Sequence, residues 1–478
     1  MKKKILLSFL LMMASLPVQL LSQIIPPEPT GRRLRIIVED NFPADSFILG
    51  GTTGSWAFGT NTALIMDREF GYVTPENDFK QWRIHPDNSS VWNWEKPDAW
   101  ISHIDENNQI LRMHCPIGPQ CSEWAQDDDR TASELETNMN DFLQTVCERY
   151  NGTEGFEYMD VVNETIIAGN WHTDKPGYGW ECPWFKIGQD TDANNTPLYI
   201  GKAFEIANEF APDIKLIYNH NEHPEKEESW NLIKETVLYL RNKGLRVDGI
   251  GWQAHVDVGW ETPEHLENLS NLIDWAHDNQ LEFHITEASV WLENGNSQTE
   301  LKRQAQTYSS IIETLLGKIS TGKIGWNTWH IDDSDGWHPE FYPSLFDSVF
   351  SAKPAYYAIQ DLLEDVSTGT EEIKENFPND FKLYNNYPNP FSKGNGGSPS
   401  TTIKYSIPFE TRNGNKLKPV TLKIYDVLGR KVATLVDEKQ SAGNYKVVWN
   451  ARNMPSGLYL AELVCEQFRK TVKMALVK

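Results

Sequence analysis

From Phe47 to Leu362, short apolar runs alternate with longer stretches in which apolar residues recur at helical spacing. Short runs rich in β-branched and aromatic residues read as strands, and the longer periodic stretches read as helices with one buried face. Eight strand-like runs can be counted, at 47–50, 72–74, 110–113, 158–162, 215–218, 247–252, 282–286 and 324–329. Helical spacing follows several of them, over 133–149, 198–210, 230–243, 263–279 and 298–316. This alternation belongs to the α/β class and predicts a closed (β/α)8 TIM barrel. The asparagine-rich 190–196 and the stretch 219–228 read as loops on the barrel rim.

Past the barrel the pattern changes. Residues 366–380 are charged and poor in apolar side chains, which predicts a linker. A glycine- and serine-rich turn region at 392–400 and period-2 or β-rich segments at 401–407, 420–425, 431–436, 443–450, 457–464 and 468–477 then predict a small all-β sandwich over 381–478. At the other end, Met1-Lys-Lys-Lys4 and the apolar stretch 5–16 have the charged and hydrophobic regions of a secretory signal peptide, assigned to 1–22. That stretch is too short to span a membrane. A proline-rich entry segment, 23–46, leads to the barrel domain at 47–365.

Composition narrows the partners. The formal net charge of −23, from 67 acidic against 44 basic residues, argues against phosphate-rich ligands and so against nucleic acid. A neutral polysaccharide is compatible with it. Eighteen tryptophans and seventeen tyrosines suit stacking on the flat apolar faces of sugar rings, although aromatics also fill cores. The five cysteines form an odd set without C-x-x-C spacing, so neither a disulfide framework nor a zinc site is expected. Export would permit one disulfide, with Cys115 and Cys121 the closest pair in sequence.

Two of the strand-like runs stop abruptly at a glutamate: Tyr158-Met-Asp-Val-Val-Asn163-Glu164 and Glu282-Phe-His-Ile-Thr286-Glu287. In a TIM barrel the C-terminal strand ends converge on one face, where two such carboxylates can meet across a cleft. A pair of carboxylates is the minimum equipment for hydrolysing a glycosidic bond. The competing reading is that each merely ends a strand or pairs with a nearby Lys or Arg.

The strand ends carry further motifs in order: Glu76-Asn77-Asp-Phe-Lys80, Leu111-Arg-Met-His114, Asn163-Glu164, Gly-Ile-Gly-Trp-Gln253-Ala-His255, His284-Ile-Thr-Glu287 and Trp329-His-Ile-Asp-Asp-Ser-Asp-Gly-Trp337. Over 47–362 the chain resembles glycoside hydrolase family 10, the retaining endo-β-1,4-xylanases, down to the closing Lys353-Pro-Ala-Tyr356. The resemblance implies Glu164 as acid/base, with a proton affinity raised by burial or a neighbouring charge, and Glu287 as nucleophile. It implies Asn163 on the sugar 2-hydroxyl, and His255 and Gln253 as support for the nucleophile. Asn77, Lys80 and His114 would contact sugars on the non-reducing side, walled by Trp329 and Trp337, with Glu76 supporting the shell. No cofactor and no metal are expected. Asp333-Ser-Asp335-Gly336 lacks the frame and closing glutamate of a calcium loop, and Asp127 to Asp129 read as a solvated loop face.

The chain departs from the family where Gly118 and Pro119 replace a Trp-His pair and where Ser289 replaces an aspartate that would support His255. Acid and nucleophile are untouched, so the expected function is xylan hydrolysis. The alternatives are another β-linked or decorated polysaccharide, or a non-catalytic surface glycan-binding protein. Farther on, Tyr387-Pro-Asn-Pro-Phe391, Tyr425-Asp-Val-Leu-Gly429-Arg430-Lys-Val432, Gly443-Asn-Tyr445 and Gly457-Leu-Tyr459 resemble the type A sorting domain of bacterial type IX secretion. The resemblance implies that secretion machinery as a partner, and release or attachment at the cell surface after export through the periplasm. The competing reading of that region is a carbohydrate-binding sandwich. A monomer is expected.

Overall fold

The computed structural model describes residues 26–478 apart from 44, 89, 175–180, 192, 368–380, 385, 387, 393–398, 408–417, 441–442, 453, 466–467 and 478. The expected signal peptide and most of the expected linker lie outside the described residues. The chain divides into two compact units, Met1–Glu371 and Glu372–Lys478.

In the first unit every expected strand forms: β1 (Phe47–Thr53), β2 (Tyr72–Pro75), β3 (Ile110–Met113), β4 (Phe156–Asn163), β5 (Lys215–His220), β6 (Gly249–Trp252), β7 (Glu282–Trp291) and β8 (Ile324–Thr328). Neighbours pair in parallel around the whole ring. β8 meets β1 with Ile324 opposite Phe47, and β6 meets β7 with Gly249 opposite Glu282, so the sheet closes. The outer helices include α1 (Leu34–Asn41), α2 (Asn61–Glu69), α3 (Glu95–Asn107), α4 (Ala132–Tyr150), α5 (Leu198–Phe210), α6 (Glu227–Asn242), α7 (Pro263–Asp278), α8 (Gln298–Leu316) and α9 (Pro354–Ser367). Their starts follow local chemistry. Thr131 and Glu134 form a capping box at α4, Thr262 caps α7 ahead of Pro263, and Ser297 caps α8.

Three features differ from the sequence reading. The entry segment contains α1, whose Leu34 and Ile37 are buried. Asn41 donates to the Leu363 carbonyl at 3.3 Å and Arg32 pairs with Glu364 at 2.9 Å, so this segment belongs to the barrel unit. The expected rim loop at 219–228 is shorter, because β5 runs to His220 and α6 starts at Glu227. Cys115 and Cys121 are buried free thiols rather than a disulfide. No helix among the described residues is long and apolar enough to cross a membrane.

The barrel interior is layered. At the N-terminal end Ile48, Tyr72, Tyr158 and Ile217 form an apolar plug separate from the main core. Above it Arg112 and Asp160, both fully buried, make a two-pronged ion pair. Glu164 and Glu287 sit above that, at the C-terminal strand ends. This ordering places the chemistry on the face where barrel strands end.

In the second unit, β9 (Ser400–Ile407) and β12 (Gly443–Asn450) form one sheet with Lys382–Leu383. β10 (Lys418–Asp426), β11 (Lys431–Gln440), β13 (Gly457–Cys465) and β14 (Phe468–Val477) form the other with Phe391–Ser392. In β10, Val420, Leu422 and Ile424 are buried and alternate with less buried neighbours, as period-2 patterning requires. They meet Ile403, Trp449, Leu463 and Met474 in a single core, the sandwich the sequence predicts.

Candidate active site

Glu164 follows the last residue of β4 with φ at 52°. A non-glycine residue in this left-handed region is strained, and the surrounding contacts hold it there. Its amide donates to the Asn219 carbonyl at 3.3 Å. Ala254 after β6 and His330 after β8 share the same conformation, at φ 60° and 70°. The carboxylate is buried. Its Oε1 accepts from Gln253 Nε2 at 2.8 Å and from Asn163 Nδ2 at 3.2 Å, while Oε2 has no protein partner.

Glu287 reaches the cleft by another device. The register between β7 and β8 slips between Ile285 and Ala288, and such a bulge re-aims the side chains it carries. Glu287 Oε1 accepts from Asn219 Nδ2 at 3.0 Å and lies 3.7 Å from His114 Nδ1; Oε2 lies 3.5 Å from His255 Nε2. Burial alone would raise its proton affinity. Positive charge on His114 and His255, a hydrogen bond from His255 and the Arg112 guanidinium overrule that, holding the carboxyl at about 2.

One amide joins the two acids. Asn219 Nδ2 also donates to Asn163 Oδ1 at 2.9 Å, and its own Oδ1 accepts from Thr286 Oγ1 at 2.8 Å. Glu287, Asn219, Asn163 and Glu164 therefore form one hydrogen-bonded chain across the barrel mouth. Gly251 makes room for it: a Cβ there would lie 2.5 Å from Asn219 Oδ1. Beneath, His114 Nδ1 and Asp160 Oδ2 are 2.9 Å apart, with Asp160 anchored on Arg112. Arg112 also donates to the Thr286 carbonyl at 3.1 Å, fixing the residue before Glu287.

Both glutamates line one cavity of about 460 Å³, with Asn77, Lys80, His114, Gln253, His255, Trp329 and Trp337 among its other walls. Glu76, expected only to support the shell, also lines it. The Lys80 ammonium donates to Gln120 Oε1. Trp329 is buried edge-on to His114, whereas Trp337 is 55% exposed at the mouth. Of the expected site residues, only Asn163 stands behind the wall, hydrogen-bonded to Glu164.

This geometry fits what comparison finds. The model of glycosyl hydrolase family 10 matches residues 39–362. The chain belongs to that family. It is 29% identical over 341 residues to endo-1,4-beta-xylanase B of Thermotoga neapolitana, covering 70% of this chain and 92% of the relative. Endo-1,4-beta-xylanase A of Caldicellulosiruptor saccharolyticus is 30% identical over 319 residues, covering 62% of this chain and 87% of the relative. Native xylanase 10B from Thermotoga maritima superposes with a TM-score of 0.61 at 27% identity, covering 70% of this chain and 99% of that one. Residues 385–478 match the model of a secretion system C-terminal sorting domain.

At the positions where this family 10 chain departs from the expected pattern, the local structure adapts. Gly118 packs against the end of β4, where a Cβ would lie 3.2 Å from the Asn163 carbonyl oxygen, and its own carbonyl accepts from Trp184 Nε1 at 3.0 Å. Gln120 lines the cavity instead. Ser289 Oγ stands 3.2 Å from His255 Nδ1, so a hydroxyl occupies the place expected of a carboxylate. Asp333 is engaged by Lys353 Nζ at 3.1 Å and by the Ser344 amide at 2.9 Å.

Sequence reading missed Asn219, the Arg112–Asp160 pair and the cavity walls Gln120, Asn221, His223 and Trp291. Signals were present for two of these. A lone arginine in Leu111-Arg-Met113 and a lone aspartate in Tyr158-Met-Asp-Val-Val162 are buried charges on adjacent strands, and such charges need each other. Trp291 was hidden because β7 continues beyond the nucleophile; its ring stacks on His255 at 5.8 Å.

Proposed function

We propose that the protein is an exported retaining endo-β-1,4-xylanase acting by double displacement. Glu287, held ionised by its cationic surroundings, attacks the anomeric carbon. Glu164 delivers a proton from Oε2, a buried oxygen with no hydrogen-bond partner in the protein, to the departing glycosidic oxygen. A glycosyl-enzyme forms with net inversion. Glu164, now a carboxylate, takes a proton from water, which attacks the same carbon and restores the configuration. Neither step calls for a cofactor.

The remaining roles follow the barrel order. Asn77 and Lys80 after β2, His114 after β3, and Trp329 and Trp337 after β8 line one half of the cavity and, as the family resemblance implies, serve sugars on the non-reducing side. Asn221 and His223 after β5 line the opposite half and serve the leaving side, while Gln253 after β6, expected beside the nucleophile, instead holds the acid through Glu164 Oε1 at 2.8 Å. Asn163, behind the wall, positions the acid through its hydrogen bond to Glu164 Oε1. The enzyme works as a monomer on polysaccharide, reaches the cell exterior through the periplasm and type IX secretion, and has no nucleic-acid partner.

One observation carries this reading: two glutamates on a single cavity, one within 3.7 Å of His114 and 3.5 Å of His255, the other with an oxygen that has no hydrogen-bond partner in the protein. Its test is to trap the enzyme with a 2-fluorinated xylobioside and map the adduct by mass spectrometry. Glu287 should bear the label; any other site overturns the assignment. A second reading, a decorated xylan or another β-glycan, is favoured by Gly118 and Pro119 not lining the cavity, and a panel of purified polysaccharides separates the two.

A further inference from the structure

Charge is divided unevenly along this chain. Residues 381–478 carry 16 Lys and Arg against 6 Asp and Glu, a net +10, whereas residues 1–380 carry 28 against 61, a net −33. The small sandwich is a cation at the end of a polyanion. On its surface, the turn between β10 and β11 presents Val427 and Leu428, which are 68% and 73% exposed. Leu428 is the most exposed of the large apolar side chains among the described residues.

This turn is rigid. Asp426 Oδ1 accepts from the amides of Leu428 at 3.0 Å and Arg430 at 2.9 Å, and its Oδ2 accepts from Arg430 Nε at 2.7 Å. Gly429 supplies the left-handed residue, with φ at 73°. Two large apolar side chains are thus held out in water by a fixed backbone, with the cationic Arg430 and Lys431 beside them. An apolar anchor whose conformation is already fixed loses little entropy on docking, which is the economy of a binding hot spot.

We infer that the Asp426–Arg430 turn is the docking element through which the sandwich engages its exporter, a protein with an apolar pocket bordered by carboxylates. The inference rests on the reading of 385–478 as a sorting domain, which requires a protein partner for export. Val427 and Leu428 fill the pocket; Arg430 and Lys431 face its acidic rim. The surplus of positive charge over the whole sandwich favours the same approach.

The test is export of the full chain from a host with type IX secretion, read as xylan-degrading activity outside the cell against activity retained inside. Val427→Ser combined with Leu428→Ser should lower the exported fraction at least tenfold, while the retained enzyme keeps its kcat/KM and the purified chain its unfolding midpoint. Lys431→Glu, which leaves the Asp426–Arg430 pair in place, should lower it by a smaller factor. Val448→Ser, at a site 62% exposed on the same sandwich, should export normally. Deletion of 381–478 separates the two ideas. If the deleted chain is still exported, the sorting reading fails; if deletion blocks export but the Val427/Leu428 variant passes, the docking turn is refuted. Equal loss in Val448→Ser, or binding to phosphatidylglycerol vesicles that depends on Leu428, would also overturn it.

Discussion

The barrel keeps ionisable side chains inside it, whereas the sandwich carries nearly all of its own on the outside. Glu69, Asp78, Lys80, Arg112, Asp160, Glu164 and Glu287 are all buried in the first unit; in the second, Lys418 is the one charged residue buried among the described residues. Backbone strain follows the same division. Every non-glycine residue with positive φ among the described residues belongs to the barrel unit, and in the sandwich only glycines adopt it. The difference teaches where chemistry is stored. Groups that stabilise developing charge work best when water is excluded and their positions are fixed beforehand. A domain that needs only to be recognised can have an apolar core and place its information in surface charge and one turn.

The widest separation between the two units should come from the glutamates. Glu164→Gln should lower kcat on xylan by about 10² to 10⁴-fold, and Glu287→Gln by at least as much, with folding intact in both. Aryl xylosides with good leaving groups should rescue glycosylation in Glu164→Gln but not in Glu287→Gln. Acid titration sharpens the contrast. Glu287 ionises near 4.5 when unfolded and near 2 when folded, so its charge stabilises the fold above pH 4.5 and that contribution fades as the pH falls toward 2. Glu282, held at about 2 despite burial by His284 and Lys215, behaves alike. The kcat/KM profile should therefore show no loss of nucleophile ionisation down to pH 4. An acid-limb midpoint above pH 4 in the parent enzyme, matched by a Glu287 carboxyl resonance titrating at the same pH, would contradict this electrostatic account.

Next in size is the pair beneath the site. Arg112→Met leaves Asp160 buried without its cation, at a cost of about 3 to 5 kcal/mol, read as a lowered denaturant midpoint for the barrel transition. The same change removes positive charge near Glu287, so the acid limb of activity should move upward. An unchanged midpoint would mean that water already compensates Asp160. The sandwich counterpart is Leu463→Ala, which empties a fully buried site for about 2 to 5 kcal/mol. Its effect should be confined to the sandwich transition, with turnover on xylan unaltered; a fall in kcat would break the separation between the units.

Much of this was legible in the sequence for a physical reason. All eight barrel strands and the sandwich strands β9 to β14 are short runs whose burial requires apolar or alternating residues, so pattern and structure coincide within a few positions. Glu164 and Glu287 stood out because each closes an apolar run. Asn219 did not, since it looks like the first residue of a polar loop and its importance arises only where β5 meets β4 and β7 carries its bulge. Helix α1 was missed because eight residues give too little periodicity to compete with the proline-rich stretch before it. Cross-strand pairing and bulge geometry are properties of the closed ring, and no local window contains them.

The finest test concerns Ser289. An aspartate at that position would bind the His255 Nδ1 proton with a full charge, tying the ring more firmly toward Glu287. A hydroxyl 3.2 Å away fixes the same ring orientation with a dipole alone. Trp291, whose ring stacks on His255, already restrains it. Ser289→Ala should consequently cost about 0.5 to 1.5 kcal/mol in transition-state stabilisation, roughly a two- to tenfold fall in kcat/KM. Ser289→Asp should restore or exceed the parent rate and shift the His255 Nδ1 proton resonance downfield in NMR. A change in rate without movement of that resonance would show that Ser289 acts through packing rather than through its hydrogen bond to His255.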